Sequence, residues 1–156
     1  MKPPGSGSLA ARALRMLANR EHSREELRRK LASKAQEGDD VEAVLDRMQE
    51  SGFQSDQRFA ESFVRSRGGR FGAGRIRREL EERGVASELA ADAMGETLPA
   101  DELDRARAIW ARKFGQIPQD RKEWARQARF MQARGFAVDV IRKLLKEPFD
   151  ESAEGQ

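Results

Sequence analysis

Residues 55–67, Ser-Asp-Gln-Arg-Phe-Ala-Glu-Ser-Phe-Val-Arg-Ser-Arg, contain the clearest helix of the chain. Ser55 is a favourable N-cap because its hydroxyl can accept a hydrogen bond from the first turn. Four apolar residues then recur at the spacing of one helix face: Phe59, Ala60, Phe63 and Val64. This spacing predicts an amphipathic helix that buries its aromatic face.

Towards the N-terminus, three further helices are predicted by their caps and apolar spacing. The first runs from about Leu9 to Arg20, with an inward face of Ala10, Leu14 and Leu17. A capping box of Ser23 and Glu26 opens the second helix, which buries Leu27 and Leu31 and ends at Gly38. Asp39 or Asp40 caps the third, which buries Val41, Val44, Leu45 and Met48 and ends at Gly52, with Phe53 folded back over its end.

The same pattern returns along the chain, as expected for tandem helical repeats. A shift of 49 carries Leu14, Leu27 and Leu31 onto Phe63, Ile76 and Leu80. A shift of 51 carries Phe59, Phe63, Gly84 and Val85 onto Trp110, Phe114, Gly135 and Phe136. The third copy has its own predicted capping box, Asp120 with Glu123.

We therefore predict an all-α protein of three tandem three-helix modules. The modules span residues 9–53, 54–97 and 98–147. Residues 1–8 are predicted to be a disordered lead-in, and residues 148–156 a disordered acidic tail.

Composition restricts the class of protein further. Charged residues make up 37% of the 156 residues, which favours several small cores over one large core. Absence of cysteine excludes disulfides and thiolate zinc sites. No stretch reaches the roughly 20 apolar residues that span a bilayer, and no signal sequence is expected. We expect a cytoplasmic protein without a membrane contact.

Charge is distributed in blocks. Residues 65–78 hold six arginines and no acid, and residues 105–134 hold nine basic residues against Asp120 and Glu123. Residues 84–104 hold six acids and no base. A single arginine is best interpreted as a solvated side chain, whereas a block of like charges repels itself and favours an anionic partner.

The basic blocks supply the predicted partner-binding or nucleic-acid-binding residues: Arg65, Arg67, Arg70, Arg75, Arg77, Arg78, Arg112, Lys113, Arg126 and Arg129. Within the first block, Arg75 and Arg78 are expected to project outward together, since they are three positions apart on a helix. Gly72 and Gly74, at a helix start, offer backbone amides that could bind an anion, although two glycines make a weak motif.

No catalytic, cofactor or metal site is predicted, so we expect a protein that is not an enzyme. The only histidine, His22, directly precedes the Ser23 cap and is interpreted as a helix-entry residue. The aromatic residues of the module helices are interpreted as core rather than as platforms for bases; they are Phe59, Phe63, Trp110, Phe114 and Trp124.

Taken in order, these motifs resemble the RecX family of recombination regulators. The resemblance covers about Ala10 to Glu147 and is carried most strongly by residues 56–67. At family-like spacing follow Gly72, Arg75-Ile76, Glu79-Leu80 and Arg83-Gly84-Val85. Ser23-Arg24-x-Glu26-Leu27 resembles the first module, and Lys113-Phe114-Gly115 and residues 129–136 resemble the third. Ala73 stands where the family often has proline, so the resemblance is weaker at the start of this helix of the second module.

The resemblance implies that the three modules are somewhat like helix-turn-helix domains and form an elongated, curved array. It also implies binding to the RecA filament on single-stranded DNA, with inhibition of the ATPase, strand-exchange and coprotease activities of RecA. Some direct DNA contact goes with the family, and we expect a monomer. Two alternatives stay open. One is a helix-turn-helix-type DNA-binding protein that acts independently of RecA, and the other is an adaptor that binds no nucleic acid.

Overall fold

The computed structural model describes residues 8–99 and 101–146 of the chain, and these residues form nine α-helices. The helices are α1 (Leu9–Asn19), α2 (Arg24–Ala32), α3 (Val41–Glu50), α4 (Asp56–Arg67), α5 (Ala73–Glu82), α6 (Ser87–Thr97), α7 (Glu102–Lys113), α8 (Arg121–Ala133) and α9 (Val138–Leu145). The predicted all-α class is confirmed. Within the described ranges, no helix combines the length and the apolar character needed to cross a membrane.

The two predicted disordered ends fall mostly outside the described residues. Ser8 is the exception, because it is described and its hydroxyl accepts a hydrogen bond of 3.1 Å from the Ala11 amide. The interpretation of Ser8 as part of the lead-in was therefore wrong: it is the N-cap of α1.

Helix starts follow the predicted capping residues. Ser23 accepts from the Glu26 amide at 3.0 Å, and the Glu26 carboxylate accepts from the Ser23 amide at 3.1 Å, which confirms the capping box. Asp40 caps α3 and Asp120 caps α8. The second predicted capping box, Asp120 with Glu123, was wrong in one of its two bonds. The Glu123 carboxylate accepts from Arg126 and Gln127 instead of from the Asp120 amide.

By backbone contacts the chain divides into two compact units. Of the described residues, one unit comprises those up to Phe63 together with Glu79–Ala93, and the other comprises Val64–Arg78 together with those from Met94 to Lys146. The division runs through α4, α5 and α6. The predicted module boundaries are not tested by this division and stay a prediction.

In the first unit, α1, α2 and α3 pack on one another around a small core. The buried apolar side chains are Leu9, Ala13, Leu27, Leu31, Leu45 and Met48. Two predictions for apolar side chains were wrong. Leu14, predicted to face inward, is 39% exposed, and Phe53, predicted to fold back over the end of α3, is 54% exposed. Leu9 and Ala13 take the inward face of α1. The end of α3 is closed without Phe53, by a hydrogen bond from the Gln54 amide to the Met48 carbonyl.

Helix α2 ends at Ala32, six residues before the predicted stop at Gly38. Short polar side chains replace the helical hydrogen bonds in the intervening turn. The Ser33 hydroxyl donates to the Lys30 carbonyl at 2.7 Å, and the Asp39 carboxylate accepts from the Gln36 amide at 2.8 Å. Such local bonds compete with helix continuation.

The first unit also contains a close approach between the start of α2 and the end of α5. The Ser23 hydroxyl donates to the Arg83 carbonyl at 2.7 Å. Gly84 has a φ of +80°, and a Cβ atom at Gly84 would lie 2.5 Å from the Cβ of Glu25. Glycine is therefore required at this position both by its backbone conformation and by the neighbouring side chain.

In the second unit, α9 packs against α7 and α8. The buried apolar residues of this core are Ala106, Ile109, Met131, Phe136, Ile141, Leu144 and Leu145. Gln127 is also buried, and its amide accepts from the Trp110 indole at 2.7 Å and donates to the Gln116 carbonyl at 3.1 Å. These bonds satisfy a polar side chain that lies in an otherwise apolar core.

The repeat is confirmed in part by burial. Leu27 and Leu31 are fully buried, as are their equivalents Ile76 and Leu80. The Leu14 equivalence is wrong, because the buried Leu9 and Ala13 match Phe59 and Phe63 at a shift of 50. The predicted core aromatics fall into two groups: Phe59 and Phe63 are buried, whereas Trp110, Phe114 and Trp124 are partly buried.

Candidate partner-binding surface

The turn between α4 and α5 carries a buried aromatic ring surrounded by arginines. Phe71 is 6% exposed, and four guanidinium groups approach its ring within 6 Å of the centroid. The distances from the guanidinium carbon to the centroid are 4.0 Å for Arg75, 5.2 Å for Arg134, 5.5 Å for Arg70 and 5.9 Å for Arg67. We call these residues the Phe71 cluster. Cation–π attraction offsets part of the repulsion among the four like charges.

Arg105 holds this turn in place from α7. Its side chain is 6% exposed, pairs with Glu102, and donates from Nη2 to the carbonyl oxygens of Gly68 at 2.9 Å and Phe71 at 2.5 Å. The Glu102 carboxylate in turn accepts from the Ala73 amide at 2.9 Å. An ion pair of α7, formed by the buried Arg105 and the partly exposed Glu102, thus fixes both ends of the turn that carries Phe71.

The end of α8 holds the same turn through backbone contacts. The Gly72 amide donates to the Arg134 carbonyl at 2.6 Å, and the Gly74 amide donates to the Gly135 carbonyl at 3.2 Å. A Cβ atom at Gly72 would lie 2.5 Å from the carbonyl carbon of Gly135. The hypothesis that these amides bind an anion is therefore wrong, because they already donate to backbone carbonyls.

A small pocket lies beside the cluster, and we call it the basic pocket. Its volume is about 270 Å³, and the described residues that line it are Arg70, Ile109, Arg112, Lys113, Phe130 and Arg134. Two of the cations approach the Phe130 ring, with Lys113 Nζ at 5.3 Å and the Arg134 guanidinium carbon at 5.0 Å from the centroid. Arg112 is anchored by a hydrogen bond of 2.5 Å from Nη2 to the Gly69 carbonyl.

The structure brings together five of the ten predicted binding residues. Arg67, Arg70 and Arg75 belong to the Phe71 cluster, and Arg70 also lines the basic pocket with Arg112 and Lys113. These five residues come from the two basic blocks of the sequence. Their contribution to binding stays a prediction.

The other predicted residues have different surroundings. Arg65, Arg77, Arg78 and Arg129 are exposed. Arg126 pairs with Glu123 at 2.7 Å, which lowers the pKa of Glu123 to about 2 and raises that of Arg126. The expectation that Arg75 projects outward with Arg78 is wrong, since Arg75 lies against Phe71 and donates to the Ala133 carbonyl at 3.3 Å.

Two residues of this region were missed by the sequence analysis. Arg134 contacts both Phe71 and Phe130. The available signals were its place at the end of the second basic block and its position directly before Gly135. Arg105 was counted only as one charge of a basic block. Its pairing with Glu102 three residues earlier is visible in the sequence, but its burial is not.

His22 lies in the first unit and is buried, with 2% exposure. Its Nδ1 lies 3.0 Å from the Arg20 carbonyl oxygen, and its Nε2 lies 3.1 Å from Lys30 Nζ. Burial is the main cause that lowers the pKa of His22 from its usual value. A neutral ring that donates from Nδ1 and accepts at Nε2 satisfies both contacts.

Protein-family models and curated proteins match this chain over most of its length. Models of the first, second and third three-helix domains of RecX match residues 11–48, 55–94 and 100–145. The protein named Regulatory protein RecX of Leptothrix cholodnii is 50% identical over 139 residues, covering 89% of this chain and 88% of the relative. Regulatory protein RecX of Ralstonia nicotianae is 48% identical over 142 residues, covering 89% and 87%.

Solved structures show the same fold. The crystal structure of RecX from Lactobacillus salivarius matches with a TM-score of 0.73 at 20% identity, covering 89% of this chain and 93% of that one. A second crystal structure, of regulatory protein RecX, matches with a TM-score of 0.75 at 21% identity, covering 89% and 71%. With three family domains in order along the sequence and close relatives over most of its length, this chain belongs to the RecX family.

Proposed function

We propose that this protein is a non-enzymatic regulator that binds the RecA filament on single-stranded DNA. In this proposal it inhibits the ATPase, strand-exchange and coprotease activities of RecA. Family membership and the printed name of its relatives, Regulatory protein RecX, support a regulatory role. A cytoplasmic location and a monomeric state are parts of the same proposal.

The observation that carries the proposal is the convergence of two basic blocks on one part of the second unit. The Phe71 cluster and the basic pocket together present Arg67, Arg70, Arg75, Arg112, Lys113 and Arg134. Arginine suits such a contact because its planar group binds phosphate or carboxylate in a bidentate manner. A RecA–DNA filament offers both kinds of anion, so this surface is the proposed filament contact.

Three of these arginines have contacts within the protein. Arg75 and Arg112 donate to backbone carbonyls, and Arg134 approaches the rings of Phe71 and Phe130. Side chains that are already held lose less conformational freedom on binding, which favours affinity. We propose that these internal contacts, together with the positive charge of the Phe71 cluster and the basic pocket, distinguish this surface from an ordinary solvated helix face.

The test is the ATPase activity of RecA on single-stranded DNA with increasing amounts of the purified protein. Inhibition, with protein found on RecA–DNA filaments in sedimentation, is the expected result. Binding to naked DNA with no change in RecA activity would favour the helix-turn-helix alternative. An adaptor role is favoured if neither DNA nor the filament is bound.

A further inference from the structure

The basic pocket is lined by both cationic and apolar side chains, whereas a simple anion would contact only the cationic ones. Its rim carries Arg70, Arg112, Lys113 and Arg134, and its remaining described lining is the apolar pair Ile109 and Phe130. Four cations call for several negative charges. The apolar pair calls for a group that gains from leaving water. A ligand that uses both must carry carboxylates or phosphates next to an apolar side chain or a base.

The surroundings of Phe130 argue against a nucleobase as that apolar group. Lys113 and Arg134 approach the ring at 5.3 and 5.0 Å, and Phe114 meets it edge-to-face with a centroid distance of 5.3 Å. A base that stacks on an aromatic residue needs an open ring face. These three neighbours occupy the surroundings of the ring, whereas an aliphatic or aromatic side chain needs only contact with its edge.

The size of the pocket limits how much of a ligand can enter it. Its volume of about 270 Å³ is below the range of roughly 300–1,000 Å³ that is typical of sites for drug-sized ligands. It can therefore take one side chain of a peptide, while the rest of the peptide stays outside. Carboxylates on the neighbouring residues of the same segment would be the matching partners for the guanidinium groups that line the pocket.

We propose that the basic pocket binds an acidic peptide segment of a protein partner, with one apolar side chain on Ile109 and Phe130 and carboxylates on the four cations. This inference rests on the proposed function, because the RecA filament is where this protein would encounter the peptide. It goes further in assigning the pocket to a protein segment rather than to DNA.

The test uses labelled synthetic peptides and fluorescence anisotropy, without RecA. The main probe is Asp-Glu-Asp-Phe-Asp-Glu, compared with Asp-Glu-Asp-Ala-Asp-Glu and with Asn-Gln-Asn-Phe-Asn-Gln. Binding of the first peptide at least tenfold tighter than of either other peptide is expected. Equal affinity for the alanine peptide would overturn the apolar contact, and absence of binding would overturn the proposal.

A matched pair of variants locates the site. Arg112→Gln with Lys113→Gln should weaken peptide binding at least tenfold. Arg121→Gln with Lys122→Gln removes the same two residue types from exposed positions of the same unit and should change binding less than twofold. Lys113→Glu, at an exposed position, serves as a second variant if the double substitution alters the melting curve. Equal effects of the two double variants would contradict the assignment.

An unlabelled oligo-dT strand tests whether the pocket binds DNA instead of a peptide. If the pocket variant lost oligo-dT binding and kept peptide binding, the pocket would be a DNA site and the proposal would fall. The ATPase assay with RecA is separate from both measurements. Peptide binding without RecA inhibition would therefore contradict the proposed function alone, and inhibition without peptide binding would contradict this inference alone.

Discussion

The Nη2 atom of Arg105 lies 2.5 Å from the carbonyl oxygen of Phe71, a residue 34 positions earlier in the chain. This hydrogen bond joins α7 to the turn on which the Phe71 cluster is built. The ring of Phe71, which the four arginines of the cluster approach, depends on that turn for its position. One buried arginine therefore holds the residue around which the arginines proposed to contact a partner are grouped.

Replacement of Arg105 tests this arrangement. Arg105→Met removes a buried charge that pairs with Glu102 and donates to two carbonyls, so we expect a loss of about 3–5 kcal/mol in the free energy of unfolding. Arg107→Met is the matched control, because Arg107 pairs with Asp104 at the same spacing but is 55% exposed. It should cost about 1 kcal/mol or less. Urea unfolding measures both, and similar losses would contradict a structural role of Arg105.

These two ion pairs also show where prediction from sequence stops. Glu102 with Arg105 and Asp104 with Arg107 are both acid–base pairs three residues apart on one helix. Their sequence patterns are equivalent, and only packing against the turn at 68–73 separates a buried pair from an exposed one. Local signals cannot identify which helix will lie over a given side chain.

Features with a local cause were predicted well. Ser23, Asp40 and Asp120 cap helices because each side chain reaches an amide within its own first turn. The apolar residues of α2 and α5 were also placed correctly, since their faces follow from helical spacing. The membership of the Phe71 cluster was not predicted, because Arg75 and Arg134 are 59 positions apart and meet only in the fold.

Gly84 provides a test of the contact between the start of α2 and the end of α5. Gly84→Ala places a Cβ atom 2.5 Å from that of Glu25 and forces alanine into a φ of +80°. Gly52→Ala meets the same φ of +80° with no neighbour within 4 Å, so it measures the backbone strain alone, about 1–3 kcal/mol. Thermal melting should show a clearly larger loss for Gly84→Ala. Equal losses would mean that this contact adjusts without cost.

The stability of the first unit should depend on pH through His22. Because burial lowers the pKa of His22 in the folded chain, the unfolded chain binds a proton more readily as the pH falls below about 6.5. This contribution to stability is complete above that pH and is lost as the pH falls towards the folded pKa. Urea midpoints at pH 7.5 and pH 5.5 should therefore differ more for the natural chain than for His22→Gln. The same difference in both proteins would show that His22 does not contribute.

The central claim is that this protein inhibits RecA through a contact made by the Phe71 cluster and the basic pocket of the second unit. Its most direct test is the protein concentration that halves the ATPase rate of RecA on single-stranded DNA. The natural chain should inhibit, Arg121→Gln with Lys122→Gln should inhibit equally, and the triple replacement of Arg70, Arg112 and Lys113 by glutamine should require at least tenfold more protein. A triple variant as potent as the natural chain, or a natural chain that leaves the ATPase rate unchanged at saturation, would contradict the account.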